Sequence, residues 1–196
     1  ELLWGGTNHN SHFLSQQAQA RIMRVSPTNY ASVKMEWNPT LKMAEAYYSG
    51  NGVPIKEDKM WIENGWYEQR YGVRPDSSAG DDIYYIKEGE QTVYLHFNRE
   101  PRFYASLGFD KGIYFGNGYI DFPAKVKHLN FFAREHTGVA TATEYYSITG
   151  YTAKKMHSYA NSLTYNNLST EYYPFPIMRL SDLFLLYAEA SNEAYG

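Results

Sequence analysis

Hydrolysis of a glycosidic bond needs two carboxylates held a set distance apart across it. Asp81 and Asp82 are adjacent and diverge in an extended segment, and Glu88 and Glu90 flank Gly89 in a turn. Acids in polar loops are ordinarily solvated, so no catalytic pair is assigned. His9 and His12 would share a helical face, but they sit in an Asn/Ser-rich stretch read as loop. His96, His128, His136 and His157 are scattered, and no HExxH places two imidazoles on one helix. Asp76, Asp81 and Asp82 lack the spacing of an EF-hand loop. There is no cysteine and no GxSxG nucleophile elbow, and Gly116-Asn117-Gly118 is not followed by the Lys-Ser/Thr of a phosphate-binding loop. No catalytic residue, metal or cofactor is expected.

Aromatic side chains remain. Trp61, Trp66, Tyr67 and Tyr71 lie close together among charged residues, and Trp4 and Trp37 flank another polar stretch. An aromatic ring offers a flat apolar face, and Tyr and Trp add one polar handle. Sugar rings have apolar C–H faces edged by hydroxyls, so half-wet aromatic loops suit glycans. Exposed Trp in loops also marks binding surfaces generally. These six residues are the candidate ligand contacts. The plainer alternative is that they form a local core pinning a long loop.

Composition agrees with a binding surface more than with other classes. Twenty Tyr, ten Phe and four Trp make the chain 17% aromatic. A formal net charge of -3 and the lack of any long basic run argue against a nucleic-acid partner. With 196 residues, 43% of them hydrophobic, the chain is globular and long enough for a sizeable core. No run approaches the about 20 apolar residues that span a bilayer, and no signal peptide is visible.

Stepping along the chain, Leu2-Leu3-Trp4 reads as a short strand. Pro39-Thr40 opens a helix from Leu41 to Tyr48, stopped by Ser49-Gly50-Asn51-Gly52. Residues 53–92 read as an excursion with little regular structure, and 93–97 begin a helix or form a strand. Pro101 opens a helical piece to about Leu107. Ile113-Tyr114-Phe115 and Tyr119–Phe122, around Gly116-Asn117-Gly118, suggest a β-hairpin. A strand is expected from Tyr145 to Tyr151, and 157–173 read as polar loop. From Arg179 to Tyr195, Leu180, Leu183, Phe184, Tyr187, Ala190 and Ala194 make one apolar helical face. That face must find something to pack on. Arg179 at its start opposes the helix dipole, so a carboxylate partner is expected.

Four segments, in order, resemble stretches of the SusD/RagB-like family. They are Pro39-Thr40-Leu41-Lys42-Met43 with Ala46-Tyr47-Tyr48 and Gly52-Val53-Pro54-Ile55; Asn98-Arg99-Glu100-Pro101-Arg102-Phe103-Tyr104-Ala105; Thr149-Gly150-Tyr151 with Lys154-Lys155; and Pro176 to Asp182 continuing through Tyr187-Ala188-Glu189-Ala190 and Asn192-Glu193. The resemblance implies an α+β, loop-rich fold, an irregular α/β region packed on tetratricopeptide-like helices. On that basis residues 1–196 are one C-terminal region of a longer chain, without the family's N-terminal helices and anchoring Cys, and the final helix belongs to the scaffold. It further implies a non-enzymatic lipoprotein facing outward on the outer membrane. Such a protein captures oligosaccharide for a SusC-like TonB-dependent transporter and touches the membrane only through its lipid anchor. Peptide capture, a purely structural role at the transporter and a glycoside hydrolase are the alternatives. The shared residues Arg99 and Arg102 read as fold-keeping, able to anchor loop carbonyls.

Overall fold

The computed structural model describes residues 2–6, 11–20, 33–73, 84–114, 127–131, 146–158, 160–164 and 167–195. Its elements are β1 (Leu2–Gly6), α1 (Ser11–Ala18), α2 (Leu41–Ala46), α3 (Lys59–Glu63), β2 (Tyr71–Val73), β3 (Gln91–Val93), α4 (Pro101–Ser106), β4 (Leu107–Phe109), β5 (Ile113–Tyr114), β6 (Lys127–His128), β7 (Tyr151–Ala153), β8 (Ser162–Thr164), β9 (Asn167–Ser169), β10 (Phe175–Arg179) and α5 (Leu180–Tyr195). A 3-10 turn, Tyr94–His96, follows β3. The strands pair antiparallel as β1–β10, β2–β3, β4–β7, β5–β6 and β8–β9. The expected mixture of helix and strand with much loop is what the chain forms.

Local chemistry explains the short helices. The Thr40 side chain accepts from the N–H of Met43 and starts α2, as an N-cap does. Asp58 does the same for α3, accepting from Met60 N–H at 2.8 Å and from Trp61 N–H at 3.4 Å. Pro101 opens α4 where its missing N–H costs nothing.

The main core gathers Phe97, Phe103, Tyr104, Leu107, Phe109 and Tyr151 around Ala44 and Ile86. At Gly108 the strands β4 and β7 approach so closely that a Cβ would stand 2.6 Å from Leu129 and 2.7 Å from Thr152. Gly150, at φ 78°, supplies a left-handed residue that only glycine adopts readily. Its turn is tied by Ser147 Oγ donating to the Tyr151 carbonyl at 2.7 Å. Of the strand expected over 145–151, the described residues 148–150 form a bend instead, and β7 begins only at Tyr151.

Other expectations shift for similar reasons. The stretch through Gln19 read as loop contains α1. Segment 33–36 holds it there, the N–H groups of Lys34 and Glu36 donating to the carbonyls of Gln16 and Gln17. The 53–92 excursion contains α3 and β2, and β2 finds its partner β3 far along the chain. Residues 93–97 divide between the end of β3 and the 3-10 turn. Polar 157–173 folds partly into the β8–β9 hairpin. Ile113 and Tyr114 pair with His128 and Lys127; the turn at 116–118 and the strand at 119–122 lie outside the described residues.

The terminal helix forms as its periodicity requires, but no residue of α5 is buried. Phe184 is 64% exposed, and Leu183, Leu185, Leu186 and Tyr187 are exposed with it. Arg179 has the expected carboxylate: its guanidinium lies 3.7 Å from Asp182, which also accepts from the Arg179 N–H at 2.8 Å.

Candidate ligand-binding surface

Arg99 joins the elements that carry the aromatic residues. It is buried, and its guanidinium donates to four carbonyls: Leu95 at 2.9 Å, Ala44 at 2.7 Å, Tyr47 at 2.6 Å and Tyr48 at 3.3 Å. Three of these lie at the C-terminal end of α2, where carbonyls have no intrahelical partner and the dipole favours a cation. Burial lowers the guanidinium pKa to about 10, so the charge persists at neutral pH. The ring of Phe103 lies 4.5 Å beneath it and that of Trp61 5.9 Å away. Glu100 accepts from the Tyr48 N–H at 2.8 Å and from Arg102 at 2.6 Å. The reading of Arg99 as a carbonyl anchor holds; Arg102 instead braces Glu100.

Behind this hub lies a buried imidazole. Thr92 Oγ1 donates to the Asp110 carbonyl at 2.6 Å and so accepts from His96 Nδ1 at 2.9 Å. That leaves His96 Nε2 to accept from the Tyr151 hydroxyl at 3.2 Å. Burial first, and the Arg99 charge second, lower the His96 pKa to about 3. The ring is a neutral core element.

The six candidate contacts do not form one cluster. Trp61 is 2% exposed and packs with Ile55 and Leu95. Its ring meets Trp66 edge-on at 5.8 Å and Tyr94 at 6.3 Å. Trp61 is thus not presented to solvent; the N-cap at Asp58 turns it inward against Leu95. Trp66 is half-buried over it. Tyr67 is 44% exposed, donates to the Glu45 carboxylate and lies under Lys56 at 6.0 Å. Tyr71 stands 57% exposed on β2. Trp4 is 63% exposed on the β1–β10 ribbon, opposite Met178. Trp37 is half-buried beside a 370 Å³ cleft with Met43, Tyr47 and Lys155.

Two larger concavities involve residues that sequence reasoning did not select. The first, about 910 Å³, lies beside the β1–β10 ribbon and is lined by Leu2, Tyr172, Tyr173 and Pro176 together with the charged Lys155, Glu171 and Arg179. The second, about 430 Å³, is walled by Tyr84, Tyr85, Tyr104 and Tyr114, with Lys154 and His157 also on its wall. Tyr85 and Tyr104 stack face to face at 3.9 Å. The Tyr84-Tyr85 doublet was the one signal in the sequence that could have flagged this cleft. Both volumes are in the range of ligand pockets. Among the described residues, no group of three or more His, Cys, Asp or Glu side chains is placed to hold a metal.

The described residues thus present open aromatic clefts on a loop-rich α+β frame. The model of the SusD family matches residues 1–196, and the chain belongs to that family. No curated protein matches the chain. Among solved structures it is similar to BT4246, a Bacteroides SusD-like protein. One structure, of the selenomethionine form, gives a TM-score of 0.64 at 22% identity, covering 100% of this chain and 31% of that one. A second gives 0.63 at 23% identity, covering 97% and 29%. The chain thus spans about a third of the length of the structures it resembles. The ordered segments from Pro39 to Glu193 that pointed to the family are the same ones that build α2, the Arg99 hub, the Gly150 turn and α5.

Proposed function

We propose that the protein binds an oligosaccharide outside the cell and delivers it to a SusC-like TonB-dependent transporter, without altering it chemically. The observation that carries this reading is the family match over the whole of residues 1–196. The open aromatic surface supports it. Trp4, Tyr67 and Tyr71, with half-buried Trp37 and Trp66, are assigned to ligand contact, and Trp61 supports Trp66 from behind. Each aromatic stacking contact contributes about 0.5–1.5 kcal/mol, so a few of them give affinities on the order of micromolar to millimolar. The site of action is the outer face of the outer membrane, reached through a lipid anchor. No helix among the described residues is long and apolar enough to cross a membrane, which is compatible with that placement. In this reading α5 belongs to a tetratricopeptide-like helical scaffold.

The test is intrinsic Trp fluorescence during titration with a panel of plant and host oligosaccharides. A saturable shift with one glycan class, and no new reducing ends on prolonged incubation, supports the proposal. A flat response to every glycan up to millimolar concentration, or release of shortened products, overturns it.

A further inference from the structure

The cleft beside Tyr84 holds a charge that nothing described around it neutralises. Lys154 Nζ donates to the carbonyls of Tyr104 at 2.9 Å and Ile113 at 2.8 Å. An ammonium has three donors, so one remains for a further acceptor. Among the described residues lining the cleft there is no carboxylate. Burial alone lowers the Lys154 pKa to about 7, the mark of a cation short of a counter-charge.

Two other polar side chains at this wall, Tyr114 and His157, are joined to each other. The Tyr114 hydroxyl accepts from the Ala20 N–H at 3.3 Å and donates to His157 Nε2 at 2.7 Å. His157 Nδ1 then donates to the Lys155 carbonyl at 3.2 Å. That chain fixes a neutral imidazole, and burial lowers its pKa to about 4. Lys154 is therefore the single positive charge of the described wall. Facing it is an aromatic surface: Tyr84, half-exposed, beside the Tyr85–Tyr104 stack.

We infer that this cleft receives an acidic sugar residue, a pyranose bearing a carboxylate or a sulfate, with its anionic group on Lys154 Nζ and its ring against Tyr84. The assignment rests on the glycan-binding reading and names the substrate class within it. A volume of 430 Å³ suits one or two sugar rings and not a long chain laid flat. The anion supplies the third acceptor and the counter-charge together, and a charge-assisted hydrogen bond is stronger than the neutral one a hydroxyl would make.

The test is calorimetric titration of the chain with three probes: a galacturonic acid trimer, a sulfated galactose trimer and the neutral galactose trimer. One of the two acidic probes is expected to bind about tenfold more tightly than the neutral one, and which does so separates carboxylate from sulfate. Lys154→Met is expected to abolish that preference and leave weak neutral binding in place. Tyr84→Ala, at a half-exposed position, keeps the fold and lowers affinity for the acidic probe several-fold. Equal binding of acidic and neutral probes overturns the acidic-sugar assignment but leaves glycan binding standing. Absence of binding by all three, and by the wider panel, removes both. An acidic preference that survives in folded Lys154→Met also overturns it. If Lys154→Met does not fold, unchanged acidic affinity in Tyr84→Ala does so.

Discussion

At the scale of single residues, buried polar groups carry sharper consequences than exposed aromatic ones. Arg99 serves four carbonyls, three of them at the C-terminal end of α2. Arg99→Met keeps the bulk but strands those acceptors, and the expected cost is on the order of 3 kcal/mol in urea unfolding. His96 has its pKa lowered to about 3 in the folded state, against an ordinary value of about 6.5. Its contribution to stability is full above pH 6.5 and is lost as pH falls toward 3, because only the unfolded chain takes up the proton. Thermal midpoints measured from pH 8 to pH 4 should fall below pH 6.5, as the unfolding free energy loses up to about 1.4 kcal/mol per pH unit through this group. In His96→Asn the midpoint starts lower and the decline is shallower, with the part due to His157 remaining. Trp61 and Tyr67 separate the two meanings of an aromatic in this sequence. Trp61→Ala opens a cavity beside Leu95 and should cost about 3–5 kcal/mol. Tyr67→Ala removes a half-exposed ring and should change stability by under about 1 kcal/mol while weakening glycan binding.

At the scale of elements, the short helices depend on their caps. A helix as short as α3 has no cooperative length to sustain it, so the carboxylate of Asp58 that closes its first turn matters more than the propensities of Lys59–Glu63. Asp58 also accepts from Asn51 at 3.0 Å, tying α3 to the glycine turn after α2. Asp58→Ala is expected to cost about 1–2 kcal/mol and to expose Trp61, which a red shift of Trp emission would report. The strand pairs are two-stranded and short. Such ribbons hold only when packed on a core: β4–β7 crosses the Phe103–Phe109 cluster, and Gly108 permits that approach. Helix starts were readable at Thr40 and Pro101 because caps are local. The partners of β2 and β5 were not, because pairing across intervening chain is decided by packing.

At the scale of the whole molecule, the core and α5 behave oppositely. The Phe103–Phe109–Tyr151 cluster binds α2, α4, β4 and β7 into one body. The apolar face of α5 is open, so replacing its large residues should scarcely affect the fold: Phe184→Gln is expected to shift the unfolding free energy by less than about 0.5 kcal/mol, against about 3–5 kcal/mol for Phe103→Ala.

Read by itself, the sequence determined the family, the α+β class, the capped starts of α2 and α4, the terminal helix and the anchoring part of Arg99. All of these rest on local chemistry or on an ordered series of short segments. Which aromatic rings face solvent was decided only in three dimensions. Trp61 and Tyr67 occupy similar polar surroundings in the chain, yet the α3 cap turns one inward and leaves the other at the surface. Of the Tyr84–Lys154 cleft the sequence displays only the Tyr84-Tyr85 doublet, with nothing to join it to Lys154. Its residues come from segments 84–85, 101–105, 114 and 154–157, and only the β4–β7 pairing and the Tyr85–Tyr104 stack bring a buried ammonium beside an aromatic wall.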